Sequence, residues 1–148
     1  MPGMPRANAV LLDGERWHRV RFDRVATPAG LEEVLHTPKA VPLGLFSGLE
    51  FWSPGDAGEE PNAIAGLVLR ALMDDAAEGL YMVPDTEWHR AQAFAANPDT
   101  LPAVYGRCVL TGTGEVGRVA PLPDRFARWW GQNRDRITSR SPKIKVVS

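Results

Sequence analysis

Three turn signals constrain the fold more than any other feature of the chain: Asp13-Gly14, Ser47-Gly48 and Gly112-Thr113-Gly114, each set between extended apolar stretches. Asp-Gly and similar glycine-bearing pairs supply the positive φ angles of tight turns, so each marks a β-hairpin. Strands used up in hairpins are not available for the strand-helix-strand crossovers that a parallel sheet requires. The expected class is therefore α+β: a mixed, mainly antiparallel sheet with three to four short helices packed on one side of it. A doubly wound parallel sheet is disfavoured for want of crossovers.

The first predicted hairpin joins 8–12 to 16–25. In its second strand His18, Val20 and Phe22 share one face, and Trp17, Arg19, Arg21 and Asp23 share the other. Thr27-Pro28 gives an N-cap with proline at the first helical position, opening a brief helix with the apolar stripe Leu31, Val34 and Leu35 that ends near His36. Residues 41–46 and 49–52 make the second hairpin, with Pro42 pushing its strand to an edge. Asn62 caps the strongest helix, where Ile64, Leu67, Val68, Ala71 and Leu72 recur at helical spacing before Gly79. A short buried strand is expected at 80–83, then a helix from Asp85 or Thr86 to Asn97-Pro98 carrying Trp88, Ala91 and Ala95. Residues 103–111 form the clearest strand, turned into 115–119. Asp124 caps a last helix with Phe126, Trp129 and Trp130 on one face. Residues 1–137 are thus expected to form one domain, and 138–148 a basic extended or disordered tail.

Charge is divided along the chain. The 148 residues carry a net charge of only −1, yet residues 1–117 hold 9 Lys+Arg against 16 Asp+Glu, while 118–148 hold 8 against 2. An acidic body near −7 is joined to a terminal segment near +6. Arg125, Arg128, Arg134, Arg136, Arg140, Lys143 and Lys145 place seven cations over twenty-one positions, interleaved with Trp129 and Trp130. Such a segment complements an acidic protein partner or a like subunit, and this is the leading expectation; Trp129 or Trp130 is the candidate anchor, although both stand at core-facing positions with Phe126, where packing the helix onto the body is the simpler role. Nucleic acid is the alternative: arginines neutralise phosphates and an exposed indole stacks on bases. Both describe a non-enzymatic binding protein, of the small kind common in phage and mobile-element genomes.

Catalytic chemistry has little to stand on. Gly112, Gly114 and Gly117 match G-x-G-x-x-G after a strand, but a dinucleotide site needs a helix to follow, and Pro121 and Pro123 come instead. A glycine-rich hairpin turn is the simpler account. Cys108 with His36 or His89 is the only cysteine-type nucleophile-and-base option, and Cys108 sits inside the strongest strand pattern, where a cysteine acts as a small hydrophobe. The acidic residues Asp56, Glu59, Glu60, Asp74 and Asp75 lack the spacing of a calcium loop, and the three histidines are scattered, so neither metal nor cofactor is expected. One cysteine forms no internal disulfide, and no apolar run approaches the roughly 20 residues that span a bilayer, so a cytoplasmic protein off the membrane is expected.

Overall fold

The computed structural model describes residues 9–14, 16–55, 59–114 and 118–139. At its centre lies a six-stranded sheet: β1 (Ala9–Leu12), β2 (Trp17–Val20), β3 (Val41–Pro42), β4 (Leu49–Ser53), β5 (Cys108–Thr113) and β6 (Val119–Ala120). Strand order is β2-β1-β5-β4-β3, with β6 on β5, and every pairing is antiparallel. Around it lie the one-turn α1 (Phe22–Val25), α2 (Pro28–Leu35), α3 (Ala63–Ala77), α4 (Asp85–Ala96) and α5 (Asp124–Thr138). The class is α+β, as the hairpin signals predict.

Helices cover both faces of the sheet, not one. Along β1, Val10 and Leu12 join α3, α4 and α5 in the larger core, while Ala9 and Leu11 join Leu31, Val34 and Leu35 of α2 in a second core. This follows from the two-residue repeat of a strand. The central strand β5 feeds both cores, Cys108 and Leu110 one and Val109 the other, so its first half, 108–110, is apolar at every position rather than alternating.

Four elements differ from the sequence expectation. The long second strand stops at Val20, opposite Ala9, and turns helical so that Val25 enters the second core. The first strand of the second hairpin shrinks to Val41–Pro42 at the sheet edge. Residues 43–48 instead drape along the sheet, held by side chains: Gly44 N–H donates to Glu50 Oε2 at 2.7 Å, Ser47 N–H to Glu87 Oε2 at 3.1 Å, and Arg90 donates to the Leu45 carbonyl. The strand expected at 103–111 starts at Cys108 and runs through Gly112 to Thr113. Residues 80–83 form no strand; they are the α3–α4 connection, with Tyr81 buried between exposed Leu80 and Met82.

The strongest helix is pinned to the sheet through its cap. Asn62 Oδ1 accepts from Ala65 N–H at 3.0 Å, the expected N-cap bond. Its amide also donates to two backbone carbonyls, Leu12 at 2.9 Å and Gly106 at 2.8 Å, ends of two neighbouring strands' segments. Asn62 is buried, and its bonds to Ala65 and Leu12 form away from water, where an orphaned partner is expensive. Asn62→Asp keeps the capping oxygen but loses both amide donors and turns a carboxylate towards two carbonyls. It should therefore destabilise the fold by roughly 2–4 kcal/mol, as much as Asn62→Ala or more, in denaturant unfolding. Wild-type stability in Asn62→Asp would show that capping alone matters there.

Candidate functional site

The terminal helix α5 is amphipathic, and its apolar stripe is fully used. Phe126, Trp129, Trp130 and Ile137 fall within one arc at helical spacing, and all are buried in the larger core. Phe126 and Trp130 stack with centroids 6.3 Å apart; Trp130 meets Trp17 of β2 edge-on at 5.7 Å, and Trp129 meets Tyr81 edge-on at 6.1 Å. Trp129 Nε1–H donates to Asp75 Oδ2 of α3 at 2.8 Å. Each indole is only 5% exposed, so both pack the helix onto the body, as their core-facing positions beside Phe126 lead one to expect, and neither offers a free ring as partner anchor or base-stacking platform. Aromatic area of this size is worth more inside a core than on a surface.

Burial of that stripe fixes where the arginines point. Arg125, Arg128, Gln132 and Arg136 recur at intervals of three and four, which places them along one flank of α5, while Arg134 lies on the other. Arg134 sits over the Trp17 ring, 4.9 Å from its centroid, and its nearest carboxylate is the exposed neighbour Asp135 at 3.9 Å. Arg125 spans the Tyr81 ring at 5.4 Å and donates to the Met82 carbonyl. Arg136 bonds Asn133 within the helix at 2.7 Å and borders a notch with Asp74, Asp75 and Glu78. Among the described residues no salt bridge ties these four arginines to a carboxylate of the acidic body. Arg140, Lys143 and Lys145 lie outside the described residues.

Beside this flank the α3–α4 connection presents Leu80 and Met82, each 68% exposed. Arg125 bonds this connection directly, so two apolar side chains and the start of the basic flank form one surface. The sequence reading missed it. Leu80 to Val83 is an apolar run between Gly79 and Pro84, and only the lack of a neighbouring strand to pair with tells an exposed loop from a buried strand.

Among the described residues the catalytic and cofactor candidates do not come together as a site. Cys108 is fully buried, and burial, with the nearby Glu50 charge as a smaller cause, pushes its thiol far above the ordinary range. His36 and His89 are both exposed, so no cysteine-histidine pair forms. Gly112 lies within β5, and a Cβ there would sit 2.1 Å from the Pro121 carbonyl oxygen. That close approach, not a phosphate, requires glycine. Gly114 N–H donates to the Arg118 carbonyl at 2.7 Å, closing a hairpin into β6 where a nucleotide loop needs a helix. Gly117 and Asp56 lie outside the described residues. No group of three or more metal-ligating side chains occurs among the described residues, and no helix there is long and apolar enough to cross a membrane.

The two indoles differ in one testable respect. Trp129 Nε1 bonds a carboxylate, whereas Trp130 Nε1 is buried without an acceptor. Trp129→Phe should therefore cost about 1–2 kcal/mol more than Trp130→Phe, read as the difference in denaturation midpoints. Equal losses would mean the Asp75 bond contributes nothing. Compared with protein-family models, curated proteins and solved structures, the chain matches none.

Proposed function

We propose that this is a non-enzymatic binding protein that docks the α5 flank, with Leu80 and Met82 at its edge, onto an acidic protein surface. One observation carries this reading: two aliphatic side chains, each 68% exposed, adjoin the start of the α5 flank, where Arg125 and Arg128 form no salt bridge with any described residue. Apolar anchors beside cations are what a protein interface uses, since the anchors supply burial and the charges supply steering and register. The partner is acidic by complementarity, and a second copy qualifies, because residues 1–117 carry a net −7. Nucleic acid is less favoured, because burial of Trp129 and Trp130 leaves only phosphate contact. A free, buried Cys108 fits a reducing compartment, and we place the protein in the cytoplasm.

A fluorescein-labelled peptide of alternating glutamate and leucine tests the proposal by anisotropy. Leu80→Ser with Met82→Ser, and separately Arg125→Gln with Arg128→Gln, should each weaken binding about tenfold, while Arg19→Gln on the exposed edge of β2 leaves it unchanged. Sedimentation equilibrium tells whether a second copy is itself the acidic surface. Duplex DNA that binds more tightly than the peptide, indifferent to Leu80 and Met82, would overturn the proposal in favour of phosphate binding.

A further inference from the structure

On the opposite face of the sheet from α5, helix α2 leaves a groove. Eight residues make a helix of roughly 12 Å; its Leu31, Val34 and Leu35 bury Ala9 and Leu11 of β1 and Val109 of β5, while Trp52 of β4 and Val119 of β6 pack against this core only partly buried. The uncovered strip is a cavity of about 550 Å³ with Trp52, Leu31, Val119 and Ala40 as its apolar lining. Its floor is rigid: Trp52 Nε1–H donates to Thr111 Oγ1 at 3.0 Å, and Thr111 is fully buried.

Two cations border the groove, Lys39 after α2 and Arg118 before β6. Both are exposed, and neither joins a salt bridge with any described residue. The third charged lining residue, Glu32, is likewise without a salt-bridge partner. The volume lies within the range of small-molecule sites and is too small for a folded partner. An aromatic floor with two cations in its lining suits an apolar body bearing one negative group, because the body is desolvated against Trp52 while the charge stays at the wet rim.

We infer that this groove binds a small aromatic or short-chain acyl carboxylate, its apolar part on Trp52 and its carboxylate between Lys39 and Arg118. The site is remote from the α5 flank, so its test stands or falls apart from that of protein docking. Glu32 is the internal check, since its charge opposes the ligand's.

Nuclear magnetic resonance titration of the full chain with 4-phenylbutyrate, following the Trp52 indole N–H signal assigned through Trp52→Phe, reads the site directly. The signal should move with a Kd on the order of 1 mM or tighter. 4-Phenylbutanol and 4-phenylbutylamine should bind at least roughly fivefold more weakly. Lys39→Gln with Arg118→Gln should abolish that preference, and Glu32→Gln should strengthen carboxylate binding. An unmoved Trp52 signal at saturating ligand, or equal affinity for the acid, alcohol and amine, would overturn the inference.

Discussion

Burial of the aromatic stripe on α5 is the contact on which the rest of the molecule's surface depends. Phe126, Trp129, Trp130 and Ile137 lock the helix against α3, Tyr81 and the β2 residue Trp17, closing the larger core at the end of the chain. Once that stripe faces inward, helical geometry leaves Arg125, Arg128 and Arg136 no choice of side. The same packing brings the α3–α4 connection alongside, because Tyr81 is held between Trp129 and Arg125 while Leu80 and Met82 turn out. A basic flank with apolar edges is thus a by-product of how the core is sealed.

The opposite end of α3 is secured by polar means. Asn62 ties the helix start to two strand-end carbonyls, and Glu50 and Glu87 hold the 43–48 segment through backbone N–H groups. Glu50 is mostly buried, and burial pushes its carboxyl above the usual range even though Gly44 and Phe51 donate to it. One oxygen of Glu87 is buried without a partner. Buried carboxylates used this way trade stability for a fixed loop path, which keeps Phe46 in the core where no strand pairing would hold it.

Much of this architecture was legible because it is written in local chemistry. Thr27-Pro28, Asn62 and Gly79 cap helices through bonds or φ angles that only a few residue types supply, and all three act as read. Asp13-Gly14 lies between the paired strands β1 and β2 as expected, whereas Gly112 and Thr113 belong to β5 itself and pair with β6, so that turn falls later than the glycines suggested. The misreadings concern partners that lie far off in sequence. Whether 43–46 pairs as a strand depends on Glu87 and Arg90 some forty residues away, and whether α2 packs with or against the other helices depends on which face of β5 it meets. For the candidate site, the arginines were visible as a charge excess and the indoles as a helical stripe. Their opposite fates, outward and inward, follow from that stripe. Leu80 and Met82, and the groove beneath α2, left no sequence signal, since exposure is a property of the assembled surface.

Native-state hydrogen exchange tests most directly whether α5 is sealed into the core and so presents its arginines outward. If it is, amides of 126–137 exchange only by global unfolding, with opening free energies within about 1 kcal/mol of those in α3. Exchange of α5 amides through a low-energy local opening, while α3 stays protected, would contradict the account, because a helix that detaches freely exposes Trp129 and Trp130 along with its cations.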